Sequence, residues 1–402
     1  MSNDGKKRSK GDAAVNYNVA DDLGAEPGKR SVELCPLGKS PITAKSYKPF
    51  TRSDVVNPAS LIPLAEPIPV HWAWFDVLLI VTFTAHVLFM NAMLGSAVIG
   101  LAQAARGRDS LIRAVGMKLP PLLALTINLG VAPLLFLQVN YGNFDYVSSV
   151  LMGGWWLAVV FVLLYSYYGF YLYKFKYEAM GKTLRLALFG SSVLGLLYVA
   201  FMFSNNMTLM LRPDGWQPYF DGHGGFLNWR DPAIYPRFLH MMVGTVAVGG
   251  LFAALLGRHK GNEEFVETGM WWFTRATIVN LAVGVWFLAA LPTRVLLAFM
   301  GGSLPATLTL AAGVLSAGVM LVAGFRADPR RTVAWAVITV FFMACARHWV
   351  RTLYLEPWFK IETVPVTNQY GSFYLFLGFV VAGGGLVAYM LKLYFKSRQG
   401  RA

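Results

Sequence analysis

From about residue 74 to the end, long apolar runs alternate with short polar links. Nine runs are candidate membrane spans, at about 74–101, 119–140, 148–174, 184–211, 234–256, 270–291, 300–325, 332–355 and 372–395. Each is close to the roughly 20 residues a spanning helix needs. The first 70 or so residues differ: they are polar, rich in Lys, Pro, Ser and Asp, without periodicity, and lack the apolar core of a signal peptide. The expected organisation is a largely disordered arm over 1–70, ordered by a neighbouring subunit if at all, a nine-helix membrane domain over 71–396 and a short basic tail over 397–402. Repeated proline makes the approach Leu61 to Pro69 extended, and Trp72 and Trp74 mark the membrane interface. The fold class is therefore all-α, a polytopic membrane helix bundle.

Composition agrees with that class. Of 402 residues, 56% are hydrophobic and only 14% charged, against nearer a quarter in soluble domains. The links leave no room for a soluble domain. Cys35 and Cys345 form no CxxC and offer neither a disulfide framework nor an iron–sulfur or covalent haem site. The net charge of +14 reflects basic loops rather than nucleic-acid binding. Arg106, Arg108, Arg113, Lys118, Lys174, Lys176, Lys182, Arg185, Arg258, Lys260, Arg326, Arg330, Arg331 and the tail lysines all fall on one side. The positive-inside rule makes that side cytoplasmic and places the amino terminus outside. The arm's own Lys6, Lys7, Arg8 and Lys10 oppose this, but lie far from the first span, where the rule weakens. The compartment expected is a bacterial or archaeal inner membrane, with the lipid bilayer as solvent.

Histidine carries the candidate chemistry. His86 lies in the apolar run from about Phe75 to Leu101, and His240 in Pro236-Arg237-Phe238-Leu239-His240-Met241-Met242. An imidazole within such a run is costly and usually has a partner or a job. At about 1.5 Å per residue, His86 lies roughly 18 Å from the outer end of the first span and His240 roughly 9 Å from that of the fifth. His348, on an outward-running eighth span, and Gln138, near the end of the second, belong to the same outer half.

These residues resemble cytochrome bd quinol oxidase subunit I. His86-Val87-Leu88-Phe89 looks like that family's His-Phe-Leu-Phe. Ile127-Asn128-Leu129-Gly130-Val131-Ala132, with Leu137-Gln138-Val139-Asn140-Tyr141-Gly142 after it, is similar to its Asn-Phe-Ala-Leu-Gly-Val-Ala and later Met-Glu-Phe-Gln-Phe-Gly. Arg237-Phe238-Leu239-His240 resembles Lys-Phe-Val-His, and Glu356-Pro357-Trp358 resembles Gln-Pro-Trp. The resemblance spans about residues 70 to 395. It implies nine helices, an outside amino terminus, and haem b with His86 and His240 as iron ligands. A neutral imidazole nitrogen binds iron strongly, and its other nitrogen can be fixed by an acceptor.

Departures from the family are as informative. Gln138 stands where the family has a glutamate, and a second glutamate is missing from Cys345 to His348. A glutamine hydrogen-bonds but carries no proton near neutral pH. The axial methionine of the seventh helix has no counterpart near Leu308 and Thr309. The long quinol-binding loop shrinks to about Pro292-Thr293-Arg294 and the few residues beyond Arg294. The expected function is thus an electron-transfer subunit that passes electrons between the quinone pool and a partner such as a multihaem cytochrome c, without itself reducing oxygen.

Replacements are at hand. His348 could pair with His240 in a bis-histidine haem b, or Met300 could take that place. Arg347 and Arg351, spaced i,i+4, share a helix face suited to haem propionates; Arg237 and Arg294 are further propionate candidates. For any one of these arginines, marking a helix end and snorkelling to the headgroups is the favoured reading. Asp76, Asp145 and Asp214 are candidate acceptors for protons released by quinol. His71 and His259 read as solvated, and His223 as a loop residue or a metal or partner contact. Asn91, Asn128, Asn205 and Asn206 read as amides that join helices, and Trp155, Trp156, Tyr165, Tyr167, Tyr168, Tyr171 and Tyr173 of the third span as packing and interface belt. No phosphate loop, catalytic triad or zinc spacing occurs. A haem-free quinone-interacting or assembly subunit of a larger respiratory complex, or a transporter, is the competing class; no internal inverted repeat supports the transporter.

Overall fold

The computed structural model describes residues 57–220 and 227–399. Among them the chain is all-helical, with one isolated bridge, and nine helices are long and apolar enough to cross a membrane. In chain order they are α1 (Trp72–Ala104), the short amphipathic α2 (Asp109–Gly116), α3 (Leu119–Met152), α4 (Gly154–Phe175), α5 (Lys182–Met210), the single turn α6 (Gln217–Phe220), α7 (Ile234–Lys260), α8 (Glu263–Ala289), the short α9 (Thr293–Leu297), α10 (Leu304–Phe325), α11 (Pro329–Leu355) and α12 (Tyr370–Gln399). The chain is a multi-pass membrane helix bundle in contact with lipid.

Local chemistry sets the ends. Asn262 accepts from Phe265 N–H at 2.9 Å, and Glu263 and Glu264 sit in the first turn of α8, where negative charge favours a helix start. This span therefore begins seven residues before the apolar run at 270. Gly261 closes α7 in the left-handed region at φ 65°. The polar stretch expected as a link between the second and third spans is helical instead, and the turn falls at Gly153, φ 52°. The helix survives because its polar side chains find partners: Asn140 donates to the Trp72 carbonyl at 3.2 Å, Asn143 to that of Pro63 at 3.3 Å, and Ser148 Oγ lies 3.0 Å from the Asn206 amide. Only Tyr141 leaves helical geometry, at φ −136° and ψ 24°, and kinks α3. The shortened loop after α8 holds α9 and a π turn, Ala298–Gly302.

Of the expected arm, residues 1–56 lie outside the described residues, as do 400–402 of the tail. From Asn57 to Pro67 the chain is exposed or half-buried, and it first becomes buried at Ile68, which is 2% exposed and donates to the Pro365 carbonyl, pairing in parallel with the link before α12.

Small residues set the helix spacing. A Cβ on Gly95 would collide with the Thr245 carbonyl, and one on Gly249 would collide with the backbone of Gly95 and Ser96, so α1 and α7 touch backbone to backbone. Asn91 accepts from Thr245 Oγ1 at 2.7 Å beside this contact. Gly250 and Gly269 allow the same approach between α7 and α8. By contrast α12 buries none of its apolar window and meets the bundle near its start, through Tyr370, Phe373, Phe376 and Leu377. Gly249→Val should force α1 and α7 apart and cost about 2 kcal/mol or more. Gly384→Ala, where nothing lies within 4 Å of the new Cβ, should leave thermal unfolding in detergent unchanged or slightly raised.

Candidate functional site

Where α1 and α7 meet at Gly95 the bundle is closed. Toward the Trp72 end a cavity of about 330 Å³ opens among α1, α3, α4, α5, α7 and α11. That volume falls at the lower end of the range for cofactor and small-molecule sites, about 300–1,000 Å³. Its walls are apolar, including Phe83, Met90, Leu123, Leu134 and Met207. Its polar groups are few: His86, His348, Arg237, Arg347 and Arg351 stand out.

His86 is fixed by α3. Its Nδ1–H donates to the Thr126 carbonyl at 3.0 Å. A carbonyl only accepts, so the proton sits on Nδ1 and the lone pair on Nε2. Gly130 makes room for the ring; a Cβ there would come within 2.8 Å of His86 Cε1. Outer-shell anchoring of this kind holds a metal-binding imidazole in one tautomer and one orientation.

His348 is held differently. Arg351 Nη2 donates to its Nδ1 at 3.3 Å, which places the ring proton on Nε2. Asp76 Oδ1 lies 3.6 Å from His348 Nδ1 and 3.7 Å from Arg351 Nη2. To present Nε2 as a lone pair, His348 must carry its proton on Nδ1, on the side that Asp76 occupies. Asp76 is only 4% exposed, and neither carboxylate oxygen has a hydrogen-bond partner. Arg351 packs its guanidinium 4.6 Å from the Tyr141 ring, at the kink of α3, and Arg347 packs 4.5 Å from Phe83. Arg237 donates to the Met207 carbonyl at 3.5 Å, while its Nε and that of Arg351 are buried without partners. Three guanidinium groups thus line one cavity, and among the described residues the one ion pair any of them makes is that of Arg351 with Asp76. The imbalance favours a ligand with carboxylates at that end.

No family model, curated protein or solved structure matches the chain.

The other sequence candidates lie elsewhere. His240 does not line the cavity. Its ring faces Gly284 and stacks at 6.5 Å on Phe287, in the seam between α7 and α8, with Nδ1 buried and unpartnered. Met300 is 55% exposed in the π turn. Gln138 is exposed and donates to the buried Asp145 at 3.2 Å. Arg294 bonds Glu356 at 2.6 Å and the Leu353 carbonyl, tying α9 to α11. Asp214 is ion-paired with Arg212 at 2.9 Å. His71 caps α1, His259 is exposed, and His223 lies outside the described residues. Among the described residues no three His, Cys, Asp or Glu side chains converge on a bare metal ion. A shallower depression of about 430 Å³ lies at the basic end, around Ser110, Arg113 and Lys260, and holds no histidine.

Sequence reasoning does not single out Thr126, Gly130, Phe83 or Tyr141 as site residues. One signal exists for two of them: Thr126 and Gly130 are spaced i,i+4, so they share a face of the second span. Asp76→Ala should leave Arg351 buried beside two other cations and destabilise the protein by about 3 kcal/mol or more in thermal or denaturant unfolding. Adding Arg351→Met should recover much of that loss; equal destabilisation by the single and double variants would mean that the pair is not coupled.

Proposed function

We propose that the chain is the haem b-carrying subunit of a membrane redox complex, a divergent relative of cytochrome bd subunit I that exchanges electrons between quinol and a partner such as a multihaem cytochrome c. The observation that carries this reading is the pairing, in one apolar cavity, of an imidazole whose Nε2 is free with three guanidinium groups that share a single ion-paired carboxylate, Asp76. His86 would hold the iron from α1. Arg347 and Arg351, with Arg237, would take the propionates at the Trp72 end. A bound haem b supplies one-electron exchange. Thr126 holds the His86 ring in its ligating tautomer, the apolar walls exclude water, and Asp76 partly balances the arginines. His348, with its proton on Nε2, would become a second ligand only when that proton sits on Nδ1. His240, against Gly284 and Phe287 in the α7–α8 seam, stands apart from this cavity.

Two features argue against oxygen reduction: Gln138 is an exposed amide, and no carboxylate stands between Cys345 and His348. The positive-inside rule supports a cytoplasmic basic-loop end, which puts the arginine end of the cavity toward the outside of a bacterial or archaeal inner membrane. There an extracytoplasmic electron carrier would meet it.

The purified protein should give a sharp b-type band in a reduced-minus-oxidised spectrum. His86→Ala should abolish that band, and Arg347→Gln should weaken haem retention, while His240→Ala leaves the band in place. A flat trace from wild-type protein grown with ample haem would overturn the reading and leave a haem-free quinone-interacting scaffold.

A further inference from the structure

Glu267, Lys392 and Lys396 are exposed within about two turns of a helix end, whereas Arg275 is exposed far from both ends of its helix. It lies twelve residues after Glu263 and fourteen before Ala289 in α8, roughly 18 Å and 21 Å along the axis. It is exposed on the bundle surface. Its guanidinium rests 4.1 Å from the ring of Trp271, one turn back, and among the described residues it makes no hydrogen bond or ion pair. Glu263, Glu264 and Glu267 stand at the beginning of the same helix, with Glu267 two turns away and beyond Trp271.

The surface around it is apolar. Trp271, Ile278, Val279, Val285 and Trp286 are all exposed on α8, whose other sides pack on α7 and α10. Hydrocarbon cannot hydrate a guanidinium, and ionisable groups within a span almost always face a partner or a water-filled cavity. An arginine on such a face is a mark of complementarity.

A second copy of this chain does not supply the complement. A symmetric contact would bring two Arg275 side chains together. Asp76 and Asp145, the carboxylates inside other spans, are buried and offer nothing to a head-to-tail contact. We propose that this face of α8 docks a membrane-spanning helix of a different polypeptide, which carries an Asp or Glu at the depth of Arg275 and forms an intramembrane ion pair with it. Trp271 and Trp286 bracket the contact, and aromatic anchors beside a desolvated charge are the usual composition of an interface centre. This proposal is independent of the haem reading.

The test uses the full chain in its native membranes, with a photo-crosslinking amino acid at Val279, on the Arg275 face, and at Leu315 on α10 as a control. The expected result is a discrete adduct at position 279 and none at 315. Its cross-linked peptide should come from a membrane-spanning segment with Asp or Glu within one turn of the link. Arg275→Leu and Arg275→Gln should lower adduct yield at least tenfold, Arg275→Lys should retain most of it, and Arg275→Glu combined with arginine at the partner's carboxylate should restore it. Unchanged elution and thermal midpoint of Arg275→Leu separate loss of docking from loss of fold; should that variant misfold, Arg275→Gln carries the comparison. Adducts confined to lipid, a cross-link to a second copy of this chain, a partner segment without a carboxylate, or yields insensitive to Arg275 would each overturn the proposal.

Discussion

The ion pair of Asp76 and Arg351, separated by 3.7 Å and almost wholly withdrawn from solvent, sets the terms for the upper half of the bundle. A lone charge in so dry a place is expensive, and a pair is tolerable only if geometry and neighbours hold it. Each neighbour contributes: Tyr141 offers its ring to the guanidinium, and His348 accepts one of its N–H groups. That arrangement draws α1, α3 and α11 together at one end. At the other end of the cavity the bare backbones of Gly95 and Gly249 pin α1 to α7. Between a polar clasp and a tight glycine contact the helices stay apart, and the space left between them is the cavity.

Within that space charge and shape divide the labour. The cationic groups gather toward the Trp72 end and the free imidazole nitrogen lies deeper, some ten residues further along α1 than Asp76. A flat ligand with an apolar body, a coordinating centre and an acidic edge satisfies both ends at once. The short α9, the π turn and the Arg294–Glu356 pair close the same end over α11 without entering the cavity.

The membrane class and nine spans are legible in the sequence because hydrocarbon imposes a length requirement that a chain can meet only with long apolar runs. The common face of Arg347 and Arg351 is legible for a similar reason, since i,i+4 spacing is a local property of any helix. What is not legible depends on neighbours distant in sequence. Asn140 and Asn143 look like loop residues until Trp72 and Pro63 supply acceptors, so α3 runs on to Met152, well past the end of its apolar run. His86 and His240 occupy similar apolar settings, yet one bonds Thr126 in the wall of a cavity and the other faces Gly284 and Phe287 between α7 and α8; no pattern along either helix distinguishes them. Arg275 disappears in any average over an apolar window, because one charge among so many aliphatic groups barely lowers the mean.

The parallel bridge between Ile68 and Val366 joins positions separated by nearly the whole described chain. A ribosome must release eight of the nine spans before Val366 emerges to receive its partner. The segment that enters the membrane first is therefore clasped among the last, and the seam can close only near the end of synthesis. An interrupted or truncated product would retain most of its helices and lack the strap that fastens its beginning to its final link.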